Sequence, residues 1–300
     1  METLGVFDSG LGGFNIVANL RKHSDINIAF LADHKNLPYG RKNDEQLQAI
    51  LRTNMQWFID KGINKVLIAC NTASTYIDFL RAEFPNLEIF SIIEITAKQF
   101  TNEKLVIFGT DKTCENKKYD EYMGYANNYH ALSDLAEIIE NNDKNEIKIY
   151  LKSELASYKR QDLNFLLACT HYSIVEDVFA KYLSGNIYDS VNVTIDYFKD
   201  YPGERKLDVY TSGNIKVLAD QLYAIFDYEV MIKPFLEEYK IVLVSDNHGL
   251  LGPLIEVIDK HKDASLFIHC GDVELNDDIL NKFYVVNGNN DYFSPFDDNL

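Results

Sequence analysis

Two cysteines stand where a thiol could do chemistry. Val66-Leu67-Ile68-Ala69 is a short apolar run of the kind buried on both faces of a parallel sheet, and Cys70 ends it. Asn71, Thr72 and Ser74 follow, each able to cap a helix, and the pattern from Tyr76 to Phe84 reads as that helix. Leu166-Leu167-Ala168-Cys169-Thr170-His171-Tyr172 repeats the arrangement further along, with a helical pattern from Ile174 to Leu183. A cysteine at the C-terminal tip of a strand sits where open α/β sheets place their ligands, and a helix N-terminus beside it favours the thiolate. A lone cysteine after an apolar run is more often a small buried hydrophobe. The matched copy argues instead for two similar half-domains that face one active site.

The elements needed to position these thiols can be read in order. Leu4 to Phe7 is a strand, Asp8-Ser9-Gly10-Leu11-Gly12-Gly13 a turn, and Phe14 to Arg21 an amphipathic helix. The glycines allow close backbone approach, and Asp8 would be a carboxylate beside the ligand, placed to orient or deprotonate something. Ile28 to Ala32 is a second strand, Asp33 to Arg41 a loop holding Leu37-Pro38-Tyr39-Gly40, and Glu45 to Lys61 a helix. After the Cys70 strand and helix, Ile89 to Ile93 is another strand. A second series opens at Leu105 to Phe108, tipped by Gly109-Thr110-Asp111-Lys112-Thr113. Leu132 to Glu140 and Glu146 to Tyr158 read as helices. Leu163 to Ala168 delivers Cys169, Val191 to Ile195 and Lys206 to Tyr210 read as later strands, and Ile215 to Phe226 as a closing helix. The βαβα alternation gives an α/β fold: two pseudo-symmetric parallel-sheet lobes facing a central cleft.

Composition bounds the function. The chain has 300 residues, 46% of them hydrophobic, ample for a sizeable core. A formal net charge of −17 and a pI near 4.8 speak against a nucleic-acid partner, which needs a basic face. Cys70, Cys114, Cys169 and Cys270 are scattered, with no disulfide-like spacing, as in a reduced, cytoplasmic protein. The N-terminus lacks the basic and apolar regions of a signal peptide, and no apolar run approaches the roughly 20 residues of a membrane span.

Together these motifs resemble glutamate racemase. The resemblance runs through Gly5-Val-Phe-Asp-Ser-Gly-Leu-Gly-Gly13, Leu37-Pro-Tyr-Gly40, Ala69-Cys-Asn-Thr-Ala-Ser74, Gly109-Thr110 with Thr113, Ala168-Cys-Thr-His-Tyr172 and Thr211-Ser-Gly213. It covers about residues 1–228: one lobe of 1–95 plus 206–228, the other of 96–205. It implies racemisation of L- and D-glutamate by two cysteines flanking the substrate α-carbon, with no pyridoxal phosphate and no metal. It also implies a supply of D-glutamate for peptidoglycan and a homodimer. One thiolate acts as base while the opposite thiol acts as acid. On this resemblance Asp8 partners Cys70 and His171 partners Cys169. Ser9, Asn71, Thr72, Thr113 and Thr170 hold the amino and carboxylate groups, and Pro38, Tyr39 and Gly40 meet the side-chain carboxylate. The chain departs from the family pattern at Ser173, usually Pro, at Asn116, usually Ser, and at Tyr129 to Ala131, where a Cys-Pro segment is absent. Glu140 matches a glutamate of the helix that follows. The departures leave the acid/base pair intact and leave open a racemase of another amino acid, such as aspartate.

After a linker at 229–239, residues 240–300 carry a third pattern. Strands at Ile241 to Ser245, Leu266 to Cys270 and Tyr284 to Val286 are tipped by Asp246-Asn-His248, Gly271-Asp272 and Gly288-Asn289. The pattern resembles the start of a calcineurin-like metallophosphoesterase. That resemblance implies Asp246, His248, Asp272 and Asn289 as ligands of a divalent metal such as Mn or Fe. The later histidines of that family have no counterpart after Asp291, so the expectation is a degenerate segment with partial metal affinity. A metallophosphoesterase with a racemase-like carrier region is the alternative from a different class.

Overall fold

The computed structural model describes residues 2–100, 103–159, 161–235, 240–262, 264, 266–273 and 278–286. Packing divides the chain into two compact units, Met1–Val209 and Tyr210–Leu300. The division falls ahead of residue 228, where the sequence pattern sets the end of the first domain.

The first unit holds two α/β lobes. One is built from β1 (Thr3–Asp8), α1 (Phe14–His23), β2 (Asn27–Ala32), α2 (Asp44–Asp60), β3 (Lys65–Ile68), α3 (Asn71–Ser74), α4 (Ile77–Glu83), β4 (Glu88–Ser91) and α5 (Ile92–Ala97). The other is built from β5 (Leu105–Gly109), α6 (Asp111–Asn116), α7 (Lys118–Met123), β6 (Asn128–Ala131), α8 (Leu135–Glu140), α9 (Lys144–Glu154), β7 (Asn164–Leu167), α10 (Glu176–Phe179) and β8 (Ile187–Asp189). α11 (Ser190–Phe198) then packs on α5 and α1, and β9 (Leu207–Thr211) returns beside β2.

The two sheets have equivalent order, β2-β1-β3-β4 and β6-β5-β7-β8, and these neighbours pair in parallel. In each, the order reverses beside the first strand, and a crevice opens at the carboxyl ends of β1 and β3 or of β5 and β7. Asp8 and Cys70 follow one such pair of strands, and Thr110 and Cys169 the other. The strands are apolar because helices cover both faces: Val66, Leu67 and Ile68 are fully buried, as are Phe165, Leu166 and Leu167. Phe108, Phe165, Phe179 and Tyr172 form the aromatic centre of the second lobe, with the Phe108 and Phe165 rings stacked 5.7 Å apart.

Some elements differ from the sequence pattern. Val191 to Ile195 reads as an alternating strand but lies inside α11. The Asp189 side chain accepts from the Val191 N–H at 2.8 Å and caps the helix, and Ser190, Val191, Thr194 and Phe198 are buried at helical spacing. The strand expected through Ile93 stops at Ser91, whose hydroxyl accepts from the Glu94 N–H at 3.3 Å and starts α5. Leu132 to Glu140 is helical only from Leu135, and β6 precedes it.

In the second unit, α12 (Ile215–Phe226) matches its expected span. β10 (Ile232–Pro234) lies in the stretch read as linker, and the Phe235 N–H donates to the Thr211 carbonyl at 2.8 Å. β11 (Ile241–Val244), β12 (Leu266–His269) and β13 (Tyr284–Val285) pair in parallel, with α13 (Leu251–Lys260) between the first two. Leu254, Phe267, Leu280 and Phe283 form a small core of their own.

Candidate active site

Asp8 ends β1 and is fully buried. One of its oxygens accepts from the Gly10 N–H at 2.9 Å, the other from the Thr170 hydroxyl at 3.0 Å. A carboxylate of the first lobe is therefore held by a hydroxyl next to Cys169. The glycine turn makes this approach possible. A Cβ on Gly10 would meet the Glu140 carboxylate, and one on Gly12 would meet Thr170 and lie 2.7 Å from His171 Nδ1. Burial pushes the Asp8 carboxyl up to about 6, partly offset by the charge of His171 and by these two hydrogen bonds.

Cys70 itself, rather than Asn71, Thr72 or Ser74, is the N-cap of α3. Its sulfur accepts from the Ala73 N–H at 3.5 Å and donates to Ser9 Oγ at 3.4 Å. Burial pushes the thiol up to about 12, and the charge of Asp8 adds to the rise. A helix N-terminus alone does not make a thiolate here, because desolvation outweighs the dipole.

Cys169 follows β7. Its sulfur lies 3.8 Å from His171 Nδ1, and His171 Nε2 lies 2.8 Å from Glu140 Oε1. Glu140 also accepts from the Leu11 N–H at 3.2 Å, and His34 Nε2 stands 3.8 Å away. Burial alone would lower the His171 pKa. The hydrogen bonds to Cys169 and Glu140 reverse that and hold it well above its ordinary value. Burial would raise Glu140, but the hydrogen bond from His171, the charges of His34 and His171 and the Leu11 N–H bring it down to about 2. The result is a sulfur–imidazole–carboxylate line in which a proton can pass between ring and sulfur without rearrangement.

Both sulfurs line one cavity of about 50 Å³. Every residue expected to meet the ligand lines it except Asp8 and Thr113, which stand behind the wall. Thr113 reaches the cavity through hydroxyls, bonding Thr110 at 3.0 Å, which in turn bonds Thr72 at 2.8 Å. The Tyr39 hydroxyl donates to Asp33 and accepts from Asn54 Nδ2 at 3.3 Å, so its proton is committed within the wall. Arg41 bridges to Asp134 at 2.7 Å and Glu137 at 3.5 Å from the opposite lobe. Sequence reasoning gave no role to His34 or Asn54, and read Thr110 only as part of the strand-tip block at residues 109–113. Thr110 had a usable signal, since it stands at a strand tip like Ser9. The others act through long-range contacts that local pattern does not encode.

In the second unit, ligand atoms of Asp246, His248 and Asp272 lie within 4.8 Å of one another. The two loops are tied by Asp246 N–H to the Gly271 carbonyl and by His248 N–H to the Asp272 carbonyl, both 3.2 Å. Asn289 lies outside the described residues.

No family model matches the chain. Among curated relatives, a glutamate racemase of Clostridium botulinum is 30% identical over 197 residues, 61% of this chain and 76% of that protein. One of Aquifex aeolicus is 27% identical over 246 residues, 76% of this chain and 95% of that protein. Among solved structures, a glutamate racemase isoform of Bacillus anthracis superposes with a TM-score of 0.71 at 20% identity, over 78% of this chain and 97% of that one. One of Francisella tularensis in complex with D-glutamate gives 0.70 at 20% identity, over 77% and 95%.

Proposed function

The chain belongs to the glutamate racemase family, and from that premise we propose that Cys70 and Cys169 are its two acid/base groups. It interconverts L- and D-glutamate, a reaction that in this family needs no cofactor. The observation that carries the assignment is positional: two thiols at equivalent strand tips of two lobes line one cavity. One sulfur, as thiolate, removes the α-proton, and the C–H electron pair moves into the α-carboxylate. The opposite S–H then protonates the other face of the carbon, and the bases exchange roles for the reverse direction.

The surroundings assign the resting protons. Cys70 waits as a thiol, since burial and Asp8 push it up to about 12. On the other side the imidazolium of His171, held by Glu140, moves the proton of Cys169. For Cys70 to serve as base its S–H gives its proton to the Asp8 carboxylate, leaving a thiolate and a neutral carboxyl, which burial favours. Donors must also meet charge that develops on the α-carboxylate. Ser9, Asn71, Thr72 and Thr170 are placed for that, with Thr113 acting behind Thr110. Pro38, Tyr39 and Gly40 border the space for the distal carboxylate. The product feeds peptidoglycan synthesis; the acidic, scattered-cysteine chain fits a cytoplasmic protein that binds neither nucleic acid nor membrane, and the family resemblance implies a homodimer. Among the described residues no helix is long and apolar enough to cross a membrane.

The test is solvent deuterium incorporation at the α-carbon of each glutamate enantiomer in heavy water. Wild type should exchange and interconvert both, and Cys70→Ala and Cys169→Ala should each lose racemisation. Reaction with aspartate in place of glutamate would keep the mechanism and change the substrate. Absence of exchange with any amino acid would overturn the assignment.

For residues 240–300 we read a degenerate metallophosphoesterase-like segment with partial metal affinity, within a racemase-like region taken as 1–228 and a linker at 229–239. Two carboxylates and an imidazole within 4.8 Å suit a hard divalent cation such as Mn or Fe, held by Asp246, His248 and Asp272. A bound ion would supply Lewis-acid character there. Mn titration of the full chain should show weak binding that Asp246→Asn removes; no binding by wild type would leave the segment a packing element.

A further inference from the structure

Asn71 sits immediately after Cys70, is 2% exposed, and lines the cavity. Its carboxamide can be placed in two ways that differ by exchange of oxygen and nitrogen, and only one of them offers N–H to a carboxylate. The surroundings decide between them. Ser190 Oγ lies 3.0 Å from the Leu167 carbonyl oxygen, which can only accept, so the Ser190 hydroxyl donates there. Its lone pair then faces Asn71 at 3.4 Å and requires the nitrogen, Nδ2, on that side. On the other side the Tyr119 hydroxyl is 2.6 Å from Oδ1. That separation matches O–H···O, about 2.7 Å, and is short for N–H···O, about 2.9 Å. The two ends of the amide agree.

We propose that Tyr119 is a positioning residue of the racemase: its phenol proton, with Ser190, locks the Asn71 carboxamide so that one Nδ2 hydrogen remains for the substrate α-carboxylate. Tyr119 is fully buried, and nothing in the cavity needs it for contact. Its burial raises its pKa strongly, so it stays a donor throughout the working pH range. The line of bonds runs from the strand that carries Cys169, through Ser190, to the residue beside Cys70, and on to α7 of the second lobe. It ties the donor geometry at one thiol to the strand that carries the other.

The inference deepens the racemase assignment and rests on it, so the two are tested apart. Wild-type exchange with glutamate tests the assignment, and its absence would sink both. Tyr119→Phe keeps the ring packing and removes the proton. The expected result is a fall in kcat of about tenfold to a hundredfold with a smaller change in KM, because the donor matters most when charge develops. In an Asn71→Ala background the same change should have no further effect on kcat. A purely structural role would leave kcat of the folded fraction unchanged, and an effect independent of Asn71 would add to that of Asn71→Ala. Ser190→Ala, which loosens the amide from its other side, should show the same dependence on Asn71 and serves if Tyr119→Phe folds poorly. Wild-type-like kcat in both variants, or additivity with Asn71→Ala, would overturn the proposal.

Discussion

The two cysteine sites share a strand, a tip and a motif, yet manage protons differently. At Cys70 the sulfur bonds Ser9 and the Ala73 N–H, and burial first and the charge of Asp8 second push the thiol up to about 12. At Cys169 the partner is His171, two residues along the chain, itself backed by Glu140 at 2.8 Å. An ionised carboxylate opposes a thiolate beside it, whereas an imidazolium sets favourable positive charge beside a sulfur. Pseudo-symmetry of the fold therefore does not extend to electrostatics. The crossing contacts explain why: Asp8 is held by Thr170 and Glu140 by Leu11, so each lobe fixes the acid/base group of the other.

That crossing can be broken most severely at Gly12. A methyl group there would meet Thr170 and His171, which belong to the Cys169 side. Gly12→Ala should keep the fold of each lobe, since no helix or strand of either one contains the clash. It should lower kcat/KM by about a hundredfold or more, because misplacement near 1 Å carries that cost. Near-normal kcat/KM with an unchanged melting temperature would show that the lobes do not need this close approach.

The next largest effect separates the two sites directly. His171→Asn should lower kcat about a hundredfold, within the usual range for a proton-transfer group, and Glu140→Gln about tenfold. The enantiomers have equal free energy, so kcat/KM must fall equally in both directions. The asymmetry appears instead in the primary isotope effect with α-deuterated substrate. It should rise for the enantiomer deprotonated by Cys169 and stay level for the other. An equal rise for both enantiomers would mean that the two thiols share one proton reservoir, contrary to the comparison drawn above.

How much of this was legible in the sequence follows from the same contrast. That Cys70, Cys169, Asp8 and His171 gather near strand tips is readable because apolar runs report strand tips; the pairing of Asp8 and His171 with the thiols came from the family resemblance. Both lobes and the parallel sheets were readable from the same alternation. The Glu140–His171 pair joins residues 31 apart, and Tyr119–Asn71 joins residues 48 apart across two lobes. No local periodicity records such pairs. α11 was misread because Val191, Val193 and Ile195 alternate as in a strand, and only the Asp189 cap and the packing on α5 and α1 reveal the helix. In the second unit the chain pattern gives three strand tips, and the structure brings together Asp246, His248 and Asp272 from the first two.

A smaller effect is expected in stability. Burial raises the Asp8 carboxyl from 3.8 in the unfolded chain to about 6 in the fold. The folded state therefore binds the proton more tightly. The carboxyl adds no penalty well below pH 4, where both states are protonated; the penalty grows between about pH 4 and pH 6 and is complete above that. Asp8→Asn removes that titration. Relative to wild type, its stability should climb by up to about 3 kcal/mol between pH 4 and pH 7, while racemisation is lost. Denaturation at the two pH values reads the difference. A constant offset across that range would mean that Asp8 ionises in the fold as easily as in water.

The smallest expected effect lies at the rim. Arg41 pairs with Asp134, the N-cap of α8, and with Glu137 inside it, and that helix ends at Glu140. Side chains on both sides of the pairs are more than half exposed, so screening holds their contribution to stability to about 0–1 kcal/mol. Arg41 and Glu137 line the cavity that both sulfurs line, and these pairs join its two walls. Arg41→Ala should leave the melting temperature almost unchanged, shift KM by about twofold to fivefold, and flatten the dependence of KM on salt. The comparison predicts where a secondary effect would show. Because α8 carries Glu140, any change in isotope effect should fall on the enantiomer deprotonated by Cys169. A change confined to the other enantiomer would place the rim on the Cys70 side and separate α8 from the proton path it is argued to hold.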